Sequence, residues 1–417
     1  MNEGLMPMMV PVHQSFDETK IEDIEGVIAE QFARPEVKSL FKPGAKVAVG
    51  VGSRGLDQLV RVVRAVISEL KNLGTEPFVI PAMGSHGGAT AEGQIEILAG
   101  YGITEAAVDA PVRATMEVVT LGMMDGEVPV YFDRMAYEAD AVVVVNRIKS
   151  HTSLQTATQS GVMKMLAIGL GKHKGASALH SHGVKNIQRY IPEAARVIMD
   201  KSPFVCGVAM VENAFAKTCA LEVLTKPTVE EAEERLLIYA NSLSPALPVD
   251  QIDILIVEQI GKDFSGLGMD PYVIGRWKIW GEPEPEKPNI TTLIALDLSD
   301  PSHGNAGGVG LADLIPRRLL KKIDYHATYT NAITATYLAR VQIPVTVETD
   351  REAMEVALKV CGEPDLDRVR VVRIKNTLEL SDLYVSQNIW EEIKSKEGIT
   401  KTGAAKALSF DAQGNLV

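Results

Sequence analysis

Cysteine is scarce in this chain: Cys206, Cys219 and Cys361 are scattered and odd in number. That speaks against a disulfide framework and against any paired-cysteine metal site, and it fits a reducing compartment in which the three act as small buried hydrophobes. No run of about eighteen apolar residues occurs, so no segment is expected to span a membrane. The apolar start from Leu5 to Val12 is short, broken by Pro7 and Pro11, and preceded by Glu3 rather than a basic region. It does not read as a secretory signal, and the expected location is cytoplasmic. Positive charge is in deficit, with 42 Lys and Arg against 54 Asp and Glu and a formal net charge of -12. A broad cationic face for nucleic acid or anionic lipid is therefore not expected, and an anionic ligand needs a local cluster.

What the chain does have is the composition of a globular α/β protein: 46% hydrophobic, 23% charged and 5% aromatic residues, with 34 Gly and 21 Pro. Its 417 residues are too many for one ordinary core and predict two domains. Short β-branched runs alternate with helical patterns: Lys46 to Gly50 as strand, Leu56 to Leu73 as helix, Glu76 to Ala82 as strand and Thr90 to Gly100 as helix. Such alternation implies parallel strands joined by crossover helices. The valine run from Ala141 to Asn146 belongs in the middle of the sheet, buried on both faces. A linker-like stretch from Ser242 to Asp250 separates the charged helix Val229 to Asn241 from a new strand, Ile252 to Glu258. We therefore expect an N-terminal α/β domain over residues 1–245 and a smaller C-terminal α/β domain over 246–417, with an active-site cleft between them. In the second half, strands are expected at Thr291 to Leu298, Pro344 to Thr349 and Val369 to Ile374. Helices are expected at Gly310 to Ile323, Ala327 to Arg340 and Asp350 to Val360.

Three strands of the first half end in polar or glycine-rich segments: Gly52-Ser53-Arg54-Gly55, Gly84-Ser85-His86-Gly87-Gly88, and Asn146 to His151. Open α/β sheets bind ligands at the carboxyl ends of their strands, so Arg54, His86 and His151 should share one crevice. Histidine is the usual acid, base or metal ligand near neutral pH. Farther on, Ser160 to Gly175 looks at first like a phosphate loop, but Lys172 is followed by His173 rather than Ser or Thr, and the glycine spacing fails. Lys164 stands there among Met163, Met165, Leu166, Ala167 and Ile168. A lysine so placed either extends its ammonium to solvent or is neutralised for covalent chemistry. His180 and His182, two apart, could chelate together only from an extended segment, whereas one of them can serve as a single metal ligand. His303 and His326 are read as structural.

Arg54 in Ser-Arg-Gly, His86 in Ala-Met-Gly-Ser-His, His151, Lys164 in Gly-Val-Met-Lys and His180 follow the order and near-intervals of one family. The chain resembles lactate racemase and its relatives, most clearly from Val47 to Gly183, in a branch separate from the lactate enzymes themselves. The resemblance implies a racemase or epimerase that inverts a hydroxyl-bearing carbon of a 2-hydroxy acid by hydride transfer to a nickel-pincer nucleotide. That cofactor is a pyridinium-3-thioamide-5-thiocarboxylic acid mononucleotide carrying Ni, loaded by cofactor-maturation proteins. It further implies that Lys164 forms the thioamide link, His180 completes nickel coordination, His86 and His151 exchange roles as base and acid, and Arg54 holds the substrate carboxylate. Three departures stand out: Val51 replaces an aspartate, the stretch from His151 to Lys164 is longer, and Gly275 falls where a substrate-binding glutamine is expected. Lys278 keeps a lysine position, and Arg276 is a candidate for a second anionic group. Two other readings remain: a metal-dependent hydrolase with His86 and His151 as ligands, and a non-catalytic small-molecule-binding homologue. A homo-oligomer is left open.

Overall fold

The valine run forms the strand Ala141–Arg147 at the centre of a five-stranded sheet. Its alternate side chains enter two different cores: Val142 and Val144 pack into one, Val143 and Val145 into the other. A strand can be uniformly apolar only when both faces are covered, which the flanking helices achieve. The computed structural model describes residues 6–417, with nothing described for the side chains of residues 184, 185, 331, 334 and 335. Glu3 and Leu5 of the apolar start lie outside the described residues.

Across this sheet the order is Glu76–Pro81, Lys46–Val51, Ala141–Arg147, Phe204–Glu212 and Thr218–Thr225. The first four strands are parallel and the last is antiparallel. The helix Leu59–Asn72 crosses between the first two, burying Leu59, Val62, Val63, Val66, Ile67 and Leu70 on one stripe, the spacing of an amphipathic helix. From Lys46–Val51 the chain passes to Glu76–Pro81 on one side, and later returns to Ala141–Arg147 on the other. That reversal is a topological switch point, and its crevice lies at the carboxyl ends of the strands.

The chain divides into a unit of residues 17–244 and a second unit made of 245–417 together with the segment ending at Phe16. The expected first domain of residues 1–245 is thus corrected at its start. Met8–Gln14 is a strand of the second unit, antiparallel to Asp382–Ser386 and Ile399–Lys401. Val10 and Val12 go with it into that unit's core, and only a sheet with matching register can bury them. Elsewhere in this nine-stranded sheet Val345–Val347, Leu314–Pro316, Asn289–Leu298, Gln251–Ile260 and Val371–Ile374 run parallel. The helix expected from Gly310 to Ile323 is another correction: a strand, Leu314–Pro316, precedes a short helix, Arg317–Lys322. Leu314 and Ile315 are buried between neighbouring strands, so tertiary pairing prevails over local helical pattern. The helix expected over Ala327 to Arg340 stops at Ala335, where Thr336 turns left-handed, and a 3-10 turn, Leu338–Val341, follows.

Candidate active site

At the carboxyl end of Lys46–Val51, Gly52 lets the backbone pass over the side chain of Met165; a Cβ there would stand 2.8 Å from Met165 Cε. The loop carrying Arg54 therefore rests on the residue next to Lys164. Tyr101 Oη donates to Ser53 O at 3.1 Å, and Asp57 N donates to Glu212 Oε1 at 2.9 Å. Glu212 in turn pairs with Arg147 at the end of the central strand. Arg54 itself is exposed.

The second loop begins at Gly84, left-handed with φ of +59°, whose N–H donates to Gly169 O at 3.0 Å. Gly87, Gly88 and Ala89 are also left-handed, a conformation glycine adopts freely and alanine only at some cost. This places His86 between two glycine turns. Gln94, fully buried on the helix Ala91–Gly100, donates from Nε2 to Gly84 O at 2.9 Å and to His86 O at 3.2 Å.

In the third loop Lys149 and Ser160 exchange backbone hydrogen bonds of 3.1 Å, so the excursion carrying His151 closes next to Gly161. His151 N donates to Gln159 Oε1 at 2.6 Å, and Ser153 N donates to His151 Nδ1 at 3.1 Å. A ring nitrogen that accepts cannot carry the proton, so the neutral His151 ring holds it on Nε2.

Lys164 ends the short turn Val162–Lys164, after which Met165–Gly169 continues as a π-helical turn, a geometry that recurs at functional sites. The turn is held from both sides. Asn146 Nδ2 donates to Gly161 O at 2.9 Å, and the buried Glu233 accepts from Met163 N at 3.0 Å. Lys164 is half-buried; desolvation, then the nearby Arg54 charge, brings its amine down to about 7. Desolvation, then Arg54 and Lys164, hold His86 below its ordinary value. Desolvation and Lys164 do the same for His180, the last residue of the helix Lys172–His180. Arg54, His86, Lys164 and His180 thus share one electrostatic neighbourhood. His182 instead stacks edge-on against Tyr190, with centroids 5.4 Å apart.

The C-terminal candidates are placed differently. Arg276 donates to Leu311 O at 2.9 Å and to Ile290 O at 3.0 Å, and pairs with Asp313 at 2.7 Å. That guanidinium ties the start of the strand Asn289–Leu298 to the segment just before Leu314–Pro316. Lys278 Nζ donates to Gly310 O at 2.5 Å, and burial lowers its pKa.

A solved protein shares this fold. The lactate racemase apoprotein from Thermoanaerobacterium thermosaccharolyticum matches with a TM-score of 0.57 and 15% identity, covering 88% of this chain and 99% of that one. Among curated proteins none matches the sequence. The family model of the lactate racemase N-terminal domain covers residues 2–190.

The stretch that matches this model contains all five of Arg54, His86, His151, Lys164 and His180. Among the described residues no group of three or more His, Cys, Asp or Glu gathers to hold a metal. Two imidazoles, His86 and His180, and one amine, Lys164, have lowered pKa, which leaves neutral nitrogen donors for a group that brings further metal ligands of its own. Among the described residues, too, no helix is long and apolar enough to cross a membrane. Lys172, Gln94, Asp133 and Glu233 also shape this domain's site, and sequence reasoning missed them. Glu233 shares one helix with Glu230, Glu231 and Glu234, but it alone of the four falls on the stripe of Val229, Leu236, Leu237 and Ala240, a local signal that could have found it.

Proposed function

We propose that the chain is a racemase or epimerase of 2-hydroxy acids that works with a nickel-pincer nucleotide anchored on Lys164. The observation that supports this most is the Lys164 amine, desolvated to a pKa of about 7 beside an arginine and two histidines. A neutral amine is the form that can be acylated, and a lysine that only extends to solvent keeps its ordinary value.

When bound, the nucleotide supplies a hydride acceptor, which the chemistry needs because the Cα hydrogen of a hydroxy acid is too weakly acidic for histidine to remove. The chain's own residues do the rest. Arg54 binds the substrate carboxylate through its planar fork. His86, kept neutral by burial and by its cationic neighbours, accepts the hydroxyl proton. His151, neutral with its proton on Nε2, donates a hydrogen bond to a substrate oxygen, so the two neutral histidines start in different roles, one accepting and one donating. His180, also neutral, is the imidazole available to the metal.

The test is to co-express the chain with the cofactor-making proteins and screen 2-hydroxy and sugar acids for inversion, using substrate deuterated at the reacting carbon in ordinary water. Inverted product that keeps its deuterium is expected. Product that has lost the label to solvent would replace hydride transfer with proton abstraction, and no inversion of any acid would remove the racemase reading.

A further inference from the structure

Lys172 is fully buried, and the sequence places it only as one cation of a failed phosphate loop. Its backbone is left-handed, with φ of +55°, a conformation unfavourable for a residue with a Cβ. Its ammonium meets three acceptors: Pro81 O at 2.6 Å, Gln94 Oε1 at 3.1 Å and Asp133 Oδ2 at 3.1 Å. Two of these contacts, to Pro81 O and Gln94 Oε1, are hydrogen bonds and the third is an ion pair with a buried carboxylate, so the charge is held in place from three sides. Lys172 is therefore not a second candidate for the covalent anchor.

The cation also decides which way Gln94 points. With its oxygen drawn to Lys172, the Gln94 amide must present its NH2 to the other side, where Gly84 O and His86 O accept at 2.9 and 3.2 Å. Asp133, at the end of the strand Val128–Asp133, holds the ammonium and also accepts from Ala136 N at 2.9 Å. The chain of contacts thus runs from the strand end through Lys172 and Gln94 to the two carbonyls of the His86 turn. A buried ion pair of this kind is a weak source of stability, since apolar residues of similar volume often replace it without loss. What it does provide is a fixed orientation.

We infer that Lys172, acting through Gln94, is a positioning residue that holds the His86 turn against the Arg54 and Lys164 charges. The inference rests on His86 being a working residue of the proposed site, but its test needs neither cofactor nor substrate. In the full chain labelled with 15N-histidine, the His86 ring signal is assigned by its loss in His86→Ala, and its titration midpoint is followed by NMR. Two variants that leave net charge unchanged are compared with the parent: Gln94→Met, and the double variant Lys172→Met with Asp133→Leu. Both are expected to melt cooperatively. Their His86 midpoint should rise towards the ordinary imidazole value as the turn leaves its cationic neighbours, while that of His180 stays where it was. In an active, loaded enzyme the same variants should lower kcat with little change in KM. Two folded variants that titrate His86 like the parent would overturn the inference. Loss of folding in both would assign the network to stability and overturn it as well. An inactive parent in which the His86 shift still appears would leave the positioning role standing while removing the racemase reading.

Discussion

At the residue scale the strongest feature is a pair of lysines that look alike in sequence and differ in fate. Lys164 lies among Met163, Met165 and Leu166, and Lys172 follows Gly169-Leu170-Gly171 a short way on. One has a half-buried amine lowered to about 7, and the other a fully buried ammonium held by two hydrogen bonds and an ion pair. That Lys164 is unusual was legible from its neighbours; that Lys172 is structural was not, because Pro81, Gln94 and Asp133 come from other elements. The lowered pKa makes a stability prediction. An unfolded lysine keeps its proton up to about 10.5 while folded Lys164 releases it near 7, so the folded state gains stability as pH rises between those values. Below about 7 the charge is buried at full cost. Lys164→Met should therefore raise the melting temperature, by roughly 2–4 °C for each kcal/mol relieved, and by more at pH 6 than at pH 9. Thermal denaturation at the two pH values checks it, and a variant that melts lower at both would mean that the amine is not strained by burial. Reaction of the cofactor-free protein with an amine reagent should modify Lys164 with a midpoint near pH 7, read by peptide mass spectrometry.

At the element scale, the turn bearing Lys164 is too short to hold itself. Val162–Lys164 passes directly into the π-helical Met165–Gly169, so its first N–H groups need outside acceptors. Glu233 supplies one from the helix Val229–Ser242, and burial pushes its carboxyl up to about 7. Here the sign is opposite to that of Lys164. A carboxyl whose folded value is raised keeps its proton between about 4.5 and 7, so its favourable contribution is present at low pH and is lost as pH rises through about 7. Glu233→Gln retains an amide oxygen to accept from Met163 N and cannot ionise. It should gain melting temperature relative to the parent at pH 8 and show little gain at pH 5. Equal effects at both pH values would show that Glu233 does not titrate in the folded protein. The helix itself was plain in the sequence, since its apolar positions repeat at helical spacing. Its capping of a distant turn was not, because that depends on how the helix packs.

At the scale of the whole molecule, the two units have separate cores, and the second is assembled from distant stretches of chain. Met8–Gln14 is flanked by Asp382–Ser386 and Ile399–Lys401, and also pairs with Lys406–Ala407. Removing residues 1–16 should take away about 3 kcal/mol or more of burial from Val10 and Val12 alone, and leave an open sheet edge. Limited proteolysis should then cut first between residues 382 and 407, while residues 17–244 stay intact. Cleavage beginning in the first unit would contradict the division. Local pattern was enough to determine the α/β class, the valine strand at the sheet centre, the glycine-rich strand ends and the candidate residues, because periodicity and turn chemistry act over a few residues. Only the tertiary structure decided that residues 6–16 join the second unit, that the segment from Leu314 to Pro316 is a strand, and which lysine is desolvated without a partner carboxylate. Strand pairing depends on a register shared by segments hundreds of residues apart, and the charge state of a buried group depends on the water it has lost and the dipoles that replace it.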